Sequence, residues 1–515
     1  MSTYVILYII CVSVTLWRYR RLLSRRYLPL PPGPPADPII GHSAQFLKRN
    51  KAITFISSRM FTVHGSRPVI HLKVPGRTII ILNTVEAAIN LLDKRSANYS
   101  DRSKLPLYDI MGWNANLGFL PYGKRFQKHR RLFQEYFSRA KCNSYQSVQL
   151  KQARLLVKQL AKNPECCSDA LQWFATSIVM HIVYGRDVIS DDDIFVKIVK
   201  DAAEGFHSCG SAGNTTVDLL PFLQYMPSWF PGTYYVKKAH SYKAATKKVH
   251  DLPYEIIKSQ LGDGVASPSY LSYHIERLYQ NDGLEVIDDI KGSAATIYTA
   301  GGETTWSTLL IFALAMVLHP DCQREAQEEM DRVVGSGRLP EFSDRPSLPY
   351  VECLVQEVHR WNSSVPIGIP HRSMEDDTYN GMFIPKGSIV IANTRGISLD
   401  ESVYLEPYQF YPSRFLPKPQ GSGEPYITAH FGFGRQVCPG RYLADDKVWI
   451  AIASTLAMLS ISKAVGKDGK EITPDFKFNA HMINASSGSR HPSPFVCNIK
   501  PRNEATASTL MEPEL

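Results

Sequence analysis

No CxxC pair occurs among the nine cysteines, and only Cys166 and Cys167 are adjacent. That spacing excludes a zinc ribbon and a disulfide-stapled scaffold, and it suits a reducing compartment. Zinc-finger spacing and aromatic–basic repeats are also missing. The net charge of +10 therefore points away from nucleic acid, toward an anionic membrane surface or an acidic protein partner. No interior stretch has the composition of a linker. A chain of 515 residues with 44% hydrophobic content then reads as one large domain with ample core, not the roughly three that length alone suggests.

The N-terminus lacks the order of a cleaved leader. Tyr4 to Trp17 is apolar apart from Ser13 and Thr15, and Arg18, Arg20, Arg21, Arg25 and Arg26 come after it. Charge following the apolar run, with no small-residue cleavage site, predicts a retained membrane anchor over 3–19 with a cytosolic flank. The run is shorter than the roughly 20 residues of a full span, which a thin membrane such as the endoplasmic reticulum tolerates best. Residues 20–35 form a basic, proline-rich hinge, because Pro29-Leu30-Pro31-Pro32-Gly33-Pro34-Pro35 can be neither helix nor central strand.

Most of the remaining chain carries helical periodicity. Val69–Val74 and Thr78–Leu82 around Pro75-Gly76 predict a hairpin, as does Tyr379 to Asn393 around Asn380-Gly381. The expectation is a mainly α fold with a small β region built from distant strands. The longest predicted helix is Val286 to Leu318, about 50 Å at 1.5 Å per residue. From Gly292 onward its only charge is Glu303. A mid-helix polar cluster, Gly301-Gly302-Glu303-Thr304-Thr305, argues against a second membrane span. Asp218 to Gly232 is apolar but broken by prolines, so no single helix is expected there. Nothing after Arg502 signals packing.

The most informative stretch is Phe431-Gly432-Phe433-Gly434-Arg435-Gln436-Val437-Cys438-Pro439-Gly440. Three glycines and a proline around one cysteine demand a tight bend and close approach to something flat or bulky. A helix predicted from Arg441 to Leu459 places Cys438 at its N-terminus, where backbone N–H groups and the dipole favour a thiolate. Such a sulfur suits an anionic axial ligand to haem iron.

This stretch resembles the haem-binding loop of the cytochrome P450 family, Phe-Gly-x-Gly-x-Arg-x-Cys-x-Gly. Gln436 stands at the arginine position, with Arg435 one residue earlier. Ala300-Gly301-Gly302-Glu303-Thr304-Thr305 resembles the family's oxygen-binding motif, and its glycines are expected to permit a local bulge. Glu357-Val358-His359-Arg360 resembles Glu-x-x-Arg, and Pro412-Ser413-Arg414-Phe415 resembles Pro-x-Arg-Phe. Phe126 to Arg130 resembles Trp-x-x-x-Arg, with Phe126 replacing tryptophan.

The resemblance implies the haem-thiolate fold over 36–500, followed by a tail at 501–515. It implies haem b, with Cys438 as iron ligand and Phe431, Gly432 and Gly434 shaping the loop. Phe126, Arg130, His371 and Gln436 would attend the porphyrin. Glu303 and Thr304 would manage protons, and Glu357, Arg360 and Arg414 would form a structural network. Ala300, Val365, Ile367, Ile369 and Ser487 would line an aliphatic pocket. The activity implied is monooxygenation of a small hydrophobic substrate by O2, with electrons from a separate NADPH–cytochrome P450 reductase. The chain is most similar to fungal, single-pass endoplasmic-reticulum members that oxidise lipophilic secondary metabolites such as terpenoids, as a monomer. A reductase-independent haem-thiolate isomerase or peroxygenase is one alternative, and a non-enzymatic haem or lipid-binding membrane protein is another.

Overall fold

The computed structural model describes residues 28–37, 41–42, 67–74, 77–187, 193–209, 215–219, 221–280, 287–335, 337–478 and 490–511, with single positions at 12, 13 and 15. Nearly all of the expected anchor, the basic half of the hinge and Ser487 lie outside these residues. The proline stretch is extended and docked: the Pro29 carbonyl accepts from Phe383 N and the Pro32 carbonyl from His71 N.

Strands β1 (Val69–Val74) and β2 (Arg77–Leu82) form the expected antiparallel hairpin, with Val69 opposite Leu82. The longer helices follow in order. They are α1 (Lys124–Phe137), α2 (Gln146–Lys162), α3 (Cys167–Tyr184), α4 (Ile194–Cys209), α5 (Tyr234–Gly262), α6 (Tyr270–Gln280), α7 (Ile287–Leu318), α8 (Pro320–Val333) and α9 (Pro349–Trp361). Then come β3 (His371–Arg372), β4 (Asp377–Tyr379), β5 (Met382–Ile384), β6 (Ile389–Ala392), α10 (Arg441–Met458), β7 (Leu459–Val465), β8 (Glu471–Ile472), β9 (Cys497–Pro501) and α11 (Glu504–Met511).

Sequence-distant strands do meet. β6 pairs parallel to β2 and antiparallel to β3, giving the order β1-β2-β6-β3. The β4–β5 turn places Asn380 and Gly381 at φ 49° and 73°, the left-handed pair that a two-residue hairpin requires. Along the stretch from Asp218 to Gly232, Thr216–Leu219 is one turn of α-helix and Pro221–Tyr225 a short 3-10 helix, followed by turns, and Phe222, Tyr225 and Trp229 remain exposed.

The main core gathers α7, α9, α10 and parts of α2 and α3. α7 is long and apolar enough to cross a membrane, yet 72% of its most apolar window is buried, which makes it the core helix. Its glycines correct one expectation. The segment is α-helical throughout, without a bulge, and the glycines let α3 approach. A Cβ on Gly301 would stand 3.0 Å from Val179 Cγ2, and one on Gly302 would stand 3.3 Å from Thr176 Oγ1. The C-terminal segment corrects another. α11 is packed, with Leu510 in the main core. Asn503 Oδ1 accepts from Thr506 N at 2.9 Å and Thr506 Oγ1 accepts from Asn503 N at 3.1 Å. This reciprocal cap was available in the sequence as Asn-x-x-Thr.

Candidate active site

The cysteine loop is held by backbone geometry. Gly432 and Gly434 adopt φ 76° and 58°, so both turns need glycine. A Cβ on Gly434 would collide with the Leu92 carbonyl, whereas one on Gly432 or Gly440 would meet nearly open space. Cys438 N donates to the Phe431 carbonyl at 2.8 Å, closing the loop before α10 begins at Arg441. Burial pushes the Cys438 thiol up, while the Gly440 amide and the guanidiniums of Arg130 and Arg441 pull it down.

Around the loop sits a set of cationic and donor side chains. Phe126 is buried against Tyr122, and one turn on, Arg130 donates to the Val437 carbonyl at 2.7 Å. Gln436 reaches the other way, donating to the Ser100 carbonyl at 2.6 Å. Arg435 turns outward to the Tyr122 hydroxyl and does not replace the missing guanidinium. His371 donates through Nδ1 to the Tyr99 carbonyl at 2.7 Å, and burial beside Arg102 pushes it down to about 3. As a neutral ring it offers only a lone pair at Nε2, so it would serve a carboxylate only after gaining a proton.

Arg102 was not legible in the sequence. It is buried and donates to the Ile369 and Pro370 carbonyls at 2.6 and 2.8 Å, while its Nε has no partner among the described residues. Burial drives it down to about 9. A buried guanidinium with an unmet donor calls for an anion. Among the described residues no carboxylate pairs with Arg102 or Arg130. This donor set fits the propionates of haem, with the Cys438 sulfur available to its iron.

On α7, Thr304 Oγ1 donates to the Ala300 carbonyl at 3.1 Å. Glu303 borders a cavity of about 100 Å³ with Thr299, Thr176, Gln172 and Lys200. Lys447 of α10 is buried, and its ammonium donates to the Gly301 carbonyl at 2.8 Å. Burial pushes it down to about 7.

The structural network is present and larger than expected. Arg360 grips Glu357 through two bonds of 2.7 Å, Arg414 Nε joins at 3.2 Å, and Glu424 adds a second carboxylate 2.7 Å from Arg414. It ties α9 to the 405–424 segment. The cysteine loop meets α9 differently, through His359 stacked on His430 at 4.4 Å. Of the aliphatic set, Ile367 packs into the sheet cluster with Ile70, Leu72, Ile81 and Ile391. Val365, Ile369 and Ala300 are partly exposed.

Fold and site together define a haem-thiolate oxidoreductase. The family model "Cytochrome P450" matches residues 31–483. The chain is 36% identical to a cytochrome P450 monooxygenase of Armillaria gallica, over 97% of each chain. It is 36% identical to one of Ampulloclitocybe clavipes, over 97% of this chain and 91% of that one. It is 35% identical to the tryptamine 4-monooxygenase of Psilocybe cyanescens, over 92% and 93%. The chain belongs to the cytochrome P450 family, whose cofactor is haem b held by an axial thiolate.

Proposed function

We propose that this cytochrome P450 is a membrane-bound monooxygenase that inserts one oxygen atom into a small lipophilic secondary metabolite, drawing electrons from a separate NADPH-dependent reductase. The observation that carries this reading is buried Arg102, with its unmet Nε, together with half-buried Arg130 at the Cys438 loop, neither paired to a carboxylate among the described residues. Bound haem would supply activation of O2 and transfer of one of its atoms. Cys438 would hold the iron through its thiolate and Arg102 and Arg130 would pair with the porphyrin carboxylates, while Gln436 and neutral His371 stay bonded to the Ser100 and Tyr99 carbonyls. Thr304 would hold a proton at its hydroxyl, and Glu303, bordering a cavity with Thr299, Gln172 and Lys200, would reload it.

A hydrophobic substrate is supported by the partly exposed aliphatic side chains Val365 and Ile369. Anchoring to a membrane is supported by the apolar N-terminus and by exposed Phe222, Tyr225 and Trp229. The relatives' fungal origin favours secondary metabolism, with terpenoids as the working class.

Two experiments test this. Cys438→Ala is expected to abolish the far-red Soret band of the ferrous carbon monoxide complex, and persistence of the band would overturn the ligand assignment. Reductase-supplemented membranes given candidate lipophiles are expected to show a spin-state shift and NADPH-dependent product. Turnover with peroxide alone, and none with NADPH, would favour the peroxygenase reading instead.

A further inference from the structure

Glu303, Trp306 and Ser307 lie at i, i+3 and i+4 on one face of α7. All three meet two residues from far down the chain. Ser307 Oγ donates to the Arg490 carbonyl at 2.6 Å, and the Trp306 ring packs 4.5 Å from that of His491. His491 Nε2 lies 2.7 Å from Glu303 Oε1. Arg490 N donates to the Ser364 carbonyl at 2.7 Å, so the imidazole is clamped by its backbone as well as by its ring. Both partners are largely buried, His491 at 11% and Glu303 at 17% side-chain exposure. A carboxylate only accepts, so the proton in this contact sits on Nε2.

We propose that His491 is a positioning residue for Glu303: it fixes the carboxylate in the rotamer that joins the cavity to Thr304. The proposal rests on the relay reading of Glu303. In that relay a proton leaves the Glu303 carboxyl toward Thr304, and the carboxylate is reloaded by a proton drawn from bulk solvent through the cavity; no electron moves. Among the described residues, Lys200 of α4 borders the same cavity, and the guanidinium of Arg490, next to His491 in the chain, lies over the Phe478 ring at 4.4 Å. From α3 the neutral Gln172 and Thr176 face the cavity. Among the described residues Glu303 is the carboxylate that borders this cavity, and the histidine contact fixes it.

The test uses the full-length holoenzyme with reductase. It compares His491→Phe, His491→Gln and Glu303→Gln by two readouts. One is the infrared carboxylate band of the resting protein, with Glu303→Gln as blank. The other is peroxide released per NADPH. His491→Phe is expected to shift the band and raise the peroxide ratio about three-fold or more. His491→Gln, whose amide N–H reaches the same oxygen, is expected to restore both. Should His491→Phe fail to retain haem, His491→Asn, too short to reach Glu303, is read the same way. An unmoved band and an unchanged ratio, with Glu303→Gln still uncoupled, would overturn the role of His491 and leave the relay standing. An unchanged ratio in Glu303→Gln would overturn the relay, and the proposal with it.

Discussion

Gly434 shows how little freedom the cysteine loop has. Its φ of 58° is costly for any side chain, and its missing Cβ would overlap the Leu92 carbonyl. Gly434→Ala is expected to cost roughly 2–4 kcal/mol and to lower haem retention, measured as the haem-to-protein absorbance ratio. Gln436 is the opposite case. Its amide donates to the Ser100 carbonyl, a bond a guanidinium can also make, so Gln436→Arg is expected to leave haem retention at or above its starting level. Loss of haem in that variant would mean the loop needs an amide there. Arg102→Leu is expected to weaken haem retention, because the unmet Nε is the clearest sign of an anion site. The residue types at the cysteine loop were readable because each serves a local backbone need. Arg102 was not, because its carbonyl partners Ile369 and Pro370 lie in a distant loop.

Among the elements, α9 is the one whose fit depends most on charge. Glu357 and Arg360 are wholly buried and Arg414 nearly so, and a buried ion pair stabilises only when every donor is met. Here carbonyls of Ser398, Pro407 and Gln409 take the remaining guanidinium protons. Glu357→Gln is therefore expected to cost about 3–5 kcal/mol, seen as a lower denaturant midpoint with an unchanged slope. The Glu-x-x-Arg spacing announced the first pair, while Glu424 carried no signal because its loop has no periodicity. α7 teaches the same lesson from the other side. Its length and apolar character followed from composition, but its glycines turned out to serve contact with α3.

Across the whole molecule, several histidines are buried neutral. Burial pushes His274 and His359 down to about 4. The unfolded chain takes up their protons first, near pH 6.5. Stability from these sites is complete above that value and is lost as pH falls toward the folded pKa, by about 1.4 kcal/mol per pH unit for each ring. The thermal midpoint is expected to decline between pH 6.5 and 5, and His359→Gln is expected to flatten that decline. Helices, hairpins and the cysteine loop were decided by the chain's own local order, because periodicity, turn residues and glycine positions act over a few residues. The pairing of β2 with β6, of Arg102 with the Ile369 carbonyl and of Glu303 with His491 was decided only by packing. Those partners lie far apart along the chain, and hydrogen bonds closed across such distances leave no local trace.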